Sequence, residues 1–122
     1  MKQYNLIQEK SFDFAVRIVN VYKYLSFEQK EFVLSKQLLK SGTSIGANVE
    51  EAIGAQSKAE FLTKLSISNK EAREKNYWIR LLNKTNYLND IESATLLSEI
   101  EILKRIIAKI RLSTMSNLQN KN

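Results

Sequence analysis

The sequence predicts an all-α fold, an antiparallel up-down-up-down four-helix bundle. Three observations carry that expectation. Proline is absent and glycine occurs only at Gly42, Gly46 and Gly54, too few turn residues for a sheet protein. Leu, Ile, Lys, Glu, Ala and Gln fill long runs without a breaker. Apolar residues recur at three- and four-residue spacing in four segments, separated by cap and turn residues. With 122 residues the chain suffices for one domain with its own core.

The first helix is expected over about 11–25, with Ser11 as its cap. Phe12, Ala15, Val16, Val19 and Tyr22 share one side, and Phe14, Ile18, Val21 and Leu25 widen the apolar arc. A strand over 18–24 cannot absorb this longer pattern. Tyr4, Leu6 and Ile7 precede it as a short arm suited to packing on a neighbour.

Ser26 and Gln29 resemble a capping box for a second helix over about 27–54. Leu34, Leu38, Ile45, Val49 and Ala52 mark its inner face, with Ser41 between them. Gly42 and Gly46 are four apart and share a face. Each glycine costs roughly 1 kcal/mol in a helix. The pair fits either a very close neighbouring helix or a local kink at Ser41-Gly42-Thr43.

Gly54-Ala55-Gln56 reads as a turn, and Ser57 with Glu60 as the capping box of a third helix over about 58–87. Leu65, Ala72, Ile79 and Asn86 repeat every seven residues. So do Asn69, Asn76 and Asn83, and so do Phe61, Ser68, Lys75 and Leu82. Tyr77, Trp78 and Leu81 add apolar surface beyond one narrow stripe, which points to subunit contacts. Asn89, Asp90 and Ser93 introduce a fourth helix over about 94–112, with Leu96, Leu97, Ile100, Leu103, Ile106, Ile107 and Ile110 inward. The tail, 113–122, is polar apart from Met115 and Leu118 and reads as frayed.

Composition excludes several functions. There is no cysteine, hence no disulfide, thiolate metal site or cysteine nucleophile. There is no histidine, which removes the commonest general base and transition-metal ligand. Glu50, Glu51, Glu71 and Glu74 sit on neighbouring segments, but bundle di-iron sites also use Glu-x-x-His pairs, so no metal or other cofactor is expected. Glu51 and Glu74 instead read as acceptors for caps, Asn or Arg. Ser41 and Ser44 near Lys40 lack the placed base and oxyanion site of a nucleophile centre. No phosphate loop is present, and the chain reads as a non-enzyme. No signal peptide or membrane span is evident, so the expected setting is the cytoplasm without membrane contact.

Candidate interaction residues fall into two groups. Asn48, Asn69, Asn76 and Asn83 either fix register as polar seam positions or simply face water, beside the Gly42 and Gly46 pair. Trp78 reads as a core or interface anchor. The second group is basic: Lys104, Arg105, Lys109 and Arg111 on the fourth helix, and Arg73, Arg80 and Lys84 on the third. Against a net charge of +6, either patch, multiplied in an oligomer, suits phosphate contacts. The plainer alternative is a solvated face near Glu99 and Glu101. Tyr4, Tyr22, Tyr24, Tyr77 and Tyr87 are able in principle to stack on bases. Lys23 and Lys121 add charge without pattern.

Three stretches carry a family resemblance: 10–19 (KSFDFAVRIV), 37–52 (QLLKSGTSIGANVEEA) and 61–74 (FLTKLSISNKEARE), the last continued by Tyr77-Trp78-Ile79-Arg80-Leu81-Leu82. Together they resemble the small four-helix bundle proteins encoded by intervening sequences in bacterial large-subunit ribosomal RNA genes. Two departures stand out. Many relatives have glycine where Ala52 stands, and a Gly-Ser pair where this chain has Lys70-Glu71. The resemblance implies a homo-oligomer, a ring of five bundles with a central channel, and the family it points to has no established enzymatic activity. It extends to a similar pentameric accessory protein of diversity-generating retroelements that binds nucleic acid and a reverse transcriptase. The implied partners are other copies of the chain, RNA or DNA, or an unidentified protein.

Overall fold

A computed structural model describes the backbone of residues 2–120 and the side chains of residues 4–117. Four α-helices make up the fold: α1 Lys2–Lys23, α2 Leu34–Ile53, α3 Lys58–Lys84 and α4 Asp90–Asn120. No strand occurs among the described residues. Contacts fix the directions. Gln8 meets Glu50, Ser11 meets Gly46 and Ile18 meets Gly42, so α1 and α2 are antiparallel. Leu38 meets Lys75, Ile45 meets Ser68 and Glu51 meets Lys64, so α2 and α3 are antiparallel. With α4 beside both α3 and α1, the circuit closes as a square up-down-up-down bundle.

Helix α1 departs most from expectation. It begins at Lys2, not at Ser11. Ser11 is buried in mid-helix, and its hydroxyl donates to the Gln8 carbonyl at 3.2 Å. The supposed arm is the first turns of this helix. Ile7 is in the core and the Tyr4 ring meets Phe61 at 5.2 Å. The inward stripe is Ile7, Phe14, Ile18, Val21 and Leu25. Of the broad apolar arc expected here, the other side is left outward: Phe12 is 63% exposed and Val16 48%, while Ala15, Val19 and Tyr22 are half-buried. This helix carries two apolar stripes, and the bundle covers one.

A π-helical turn, Tyr24–Glu28, continues α1. Ser26 sits inside it and donates to the Tyr22 carbonyl at 2.7 Å, so it caps nothing. Gln29 donates to the Tyr24 hydroxyl instead of forming a capping box. Lys30 then takes a left-handed conformation, φ 56°, and the Glu31 amide bonds the Leu25 carbonyl at 2.9 Å. That bond spans six residues, one more than the usual helix-end return, because it closes a π-helical turn. Helix α2 starts only at Leu34, where the Glu31 carboxylate accepts the amides of Val33, Leu34 and Ser35 at 3.3, 3.1 and 2.7 Å.

Helix α2 buries Leu38, Ile45, Val49 and Ala52 as expected, with Ser35, Ser41 and Gly42 among them. It runs unbroken through Ser41-Gly42-Thr43, so the close-approach reading holds at Gly42. A Cβ there would overlap the Lys75 amine and lie 2.7 Å from Ile18 Cγ2. At Gly46 an added Cβ would sit 3.4 Å from the Ser11 carbonyl oxygen, an ordinary contact.

Ser57 caps α3, its hydroxyl accepting the Glu60 amide at 3.1 Å. Leu65, Ser68, Ala72, Lys75, Ile79 and Leu82 form the buried face, which joins two of the expected heptad series. The helix ends beside Asn86, another left-handed residue at φ 70°. Asn89 opens α4 by accepting the Glu92 amide at 2.7 Å. Helix α4 continues well past residue 112, so the described part of the tail is helical and not frayed. Thr114 is buried. Lys121 and the Leu118 side chain lie outside the described residues.

Candidate nucleic-acid interface

At 100° per residue, the buried face of α3 centres on Lys75 and Ile79. Lys70, Arg73, Tyr77, Arg80 and Lys84 fall within an arc of about 80° on the opposite side. All five are exposed. The stripe therefore combines the expected cations Arg73, Arg80 and Lys84 with two residues outside that set, Lys70 and the ring of Tyr77. Wheel geometry finds both in the sequence once the buried face is known.

Local contacts order this stripe. The Arg80 Nε donates to Asn76 Oδ1 at 2.7 Å, which holds the guanidinium against the helix. Tyr77 is 52% exposed. Trp78 meets its ring edge-on, with centroids 5.2 Å apart and planes at 77°. Tyr77, Arg80, Leu81, Asn83 and Lys84 line a shallow depression of about 360 Å³. Among the described residues Lys70, Arg73, Arg80 and Lys84 make no ion pair. The nearest carboxylates lie to one side. Glu74 is approached by the Trp78 indole N–H at 3.5 Å. Glu71 is half-buried near Lys75, Lys70 and Lys40, and burial raises its pKa.

The expected patch on α4 is less coherent. Lys104 is half-buried and pairs with Glu101 at 3.5 Å. Arg111 is half-buried and its Nε is enclosed without a hydrogen-bond partner among the described residues. Arg105 and Lys109 are exposed, with exposed Leu112 and Ile102 on the same side. Along the bundle axis Arg105 lies about level with Lys70, whereas Lys84 stands at the α3–α4 connection.

The polar seam residues have local roles. Asn48 is half-buried and donates to the Ser44 carbonyl of its own helix at 2.9 Å, so it faces no polar break in the core. Asn69 and Asn76 are half-buried. Asn83 ties the α3–α4 connection, donating to the Leu88 carbonyl at 3.0 Å and to Asp90 at 2.9 Å. Glu51 is exposed and pairs with Lys64 at 2.8 Å; Glu74 is exposed too. Trp78 packs half-buried on the core. No group of His, Cys, Asp or Glu suited to a metal ion exists among the described residues. No helix there is long and apolar enough to cross a membrane.

The residue that sequence reasoning missed is Lys75. It belonged to a heptad series, yet nothing in its type marked it for complete burial. It is 0% exposed, and its amine donates to the Leu38 carbonyl in the space left by Gly42. Burial pushes its pKa down to about 7, with Glu71 and then Glu74 pulling the other way.

Comparison with known proteins places the chain. It belongs to the 23S rRNA-intervening sequence protein family, whose pattern matches residues 3–109. It is similar to a crystal structure of a protein of unknown function from the S23 ribosomal protein family of Bacteroides thetaiotaomicron. The two are 48% identical, with a TM-score of 0.88 over 89% of this chain and 97% of that one. No curated protein matches.

Proposed function

We propose that this member of the 23S rRNA-intervening sequence protein family is a non-enzymatic, homo-oligomeric helical bundle that binds nucleic acid as an accessory factor in the cytoplasm. One observation carries the nucleic-acid part: Lys70, Arg73, Arg80 and Lys84 share the outward face of α3 without ion-pair partners among the described residues. Each is free to neutralise a phosphate, and copies around an oligomer would act together. Arg105 and Lys109 on α4 form a second, smaller contact.

Assembly rests on different residues. Phe12 and Val16 lie one turn apart on the outward side of α1, exposed to water in the single chain. Phe27, Phe32 and Val33 are also exposed, in the connection before α2. Apolar residues gathered in this way favour burial against protein. Five copies in a ring is the arrangement that the family resemblance suggests. The same surface favours a second reading, a scaffold that binds a protein partner and no nucleic acid.

Size exclusion with light scattering separates these readings. The chain alone is expected well above the 14.1 kDa of one copy, near five times that mass for the ring. RNA and DNA fragments are then added at low and moderate salt. A salt-sensitive complex, lost on charge reversal of Arg73, Arg80 and Lys84 with assembly intact, supports the accessory reading. Assembly without any complex supports the scaffold.

A further inference from the structure

We infer that the outward face of α3 binds single-stranded nucleic acid, with a base stacked on Tyr77 and the strand's phosphates held by Lys70, Arg73, Arg80 and Lys84. This rests on the nucleic-acid reading above and narrows it to one class of ligand.

The placement of the ring is the first reason. Phosphate contacts alone need only cations, and a tyrosine amid them would be idle. Tyr77 falls inside the cationic arc, with cations on both sides of it along the helix and around it. Its ring is half in solvent, and Trp78 meets it edge-on. That contact restrains the ring on one side, and a restrained ring loses less freedom when a base stacks on it.

The second reason is preorganisation of a cation next to it. Asn76 accepts from Arg80 Nε and leaves the outer guanidinium nitrogens for a phosphate. The shallow depression beside Tyr77, about 360 Å³ and walled by Arg80, Leu81 and Lys84, has room for a flat group against the ring. The cations from Lys70 to Lys84 extend over about 21 Å of helix, so a strand along the axis meets them in succession.

The third reason favours a single strand over a duplex. In a duplex both faces of each base are already stacked on neighbours, so Tyr77 would have nothing to stack on. Base–aromatic stacking within a cationic track is the usual chemistry of sequence-tolerant single-strand binding.

The test measures fluorescence anisotropy of the full chain with labelled oligo-dT and oligo-U of about 15 nucleotides, and with a duplex of equal length. Single strands are expected to bind more tightly than the duplex. Tyr77→Ala is expected to weaken single-strand binding about tenfold without changing its salt dependence, and Tyr77→Phe to restore it. Arg73→Ala and Arg80→Ala are expected to reduce the salt dependence by about one counterion each. The oligo-dT and oligo-U arms show which sugar is preferred. Binding that Tyr77→Ala leaves unchanged, or a tighter duplex, overturns the single-strand inference while nucleic-acid binding stands. No binding of any probe overturns both.

Discussion

Helices α1 and α3 occupy opposite corners of the bundle, and each packs on both α2 and α4. Their chemistry differs on both sides. Inward, α1 is apolar apart from Ser11, whereas α3 buries Ser68 and Lys75 among its apolar residues. Outward, α1 shows Phe12 and Val16, and α3 shows four cations and a tyrosine. Phe12 and Val16 share that outward side with the exposed Asn5, Glu9 and Lys23, a mixed surface with two large apolar groups of the kind that suits contact with protein. A helix cationic on its outer side resists being covered by another copy of itself, because like charges would be desolvated together. Assembly through α1 would leave α3 available to a polyanion.

The largest effect is expected from breaking the apolar half of this contrast. Phe12→Asp with Val16→Asp places charges on the outward side of α1 and leaves the core untouched. Light scattering is expected to show the mass falling to the 14.1 kDa of one chain. Nucleic-acid affinity should fall roughly a hundredfold as the linked sites separate. An unchanged mass would show that another surface holds the copies together.

The next test strikes where both helices converge. Ile18 of α1 and Lys75 of α3 meet over Gly42 of α2. Gly42→Leu is expected to destabilise the fold by about 3 kcal/mol through overpacking, read as a lower midpoint in urea. Gly46→Ala is the control. Its Cβ would come no closer than 3.4 Å to Ser11, so the gain in helix propensity, up to about 1 kcal/mol, is expected to survive. Equal effects at the two glycines would remove the close-approach account.

These helices also show what was legible beforehand. The all-helical bundle, the buried face of α2 and the Ser57 cap follow from periodicity and cap chemistry. The buried side of α1 does not. Its two apolar stripes are equally periodic, and only the neighbouring helices decide which is covered. Ser11 and Ser26 resemble caps because a serine hydroxyl serves a helix end or bonds a carbonyl within the helix equally well. The real cap of α2 is the Glu31 carboxylate, a residue type that marks a helix start only weakly. At the candidate interface, the α3 cations were visible as a stripe. Lys70 and Tyr77 join them only when Lys75 defines the opposite side, and a lysine is the last residue type expected to do so.

Lys75 therefore gives the third test. Its pKa is about 7 in the fold, against 10.5 for a free lysine. Between those values the unfolded chain holds more protons than the folded one. Stability should rise as pH increases from about 7 toward 10.5, with the full cost of the buried charge present below about 7. Lys75→Met keeps the length of the side chain and removes the charge. It is expected to raise the urea midpoint at pH 7 and flatten the rise between pH 7 and 10. A rise that persists in this variant would assign the effect to another group. Because Lys75 faces inward, nucleic-acid binding should be unaffected, which separates the two sides of α3.

The smallest effect is expected on α1, at Arg17. It is a cation like those of α3, but Glu99 of α4 already holds its Nε at 2.8 Å. Burial raises the Glu99 pKa, and the Arg17 charge works against that rise. The pair is partly exposed, so Arg17→Ala should cost less than about 1 kcal/mol of stability. The same change should leave nucleic-acid affinity and its salt dependence as they are, since a guanidinium engaged by a carboxylate has little charge left for a phosphate. Removing Arg73, also exposed and in no ion pair among the described residues, should do the reverse: little change in the urea midpoint and a clear loss of salt-sensitive binding. If Arg17 and Arg73 prove equally important for binding, then net charge rather than the arrangement on α3 attracts the polyanion, and the contrast between the two helices carries no function.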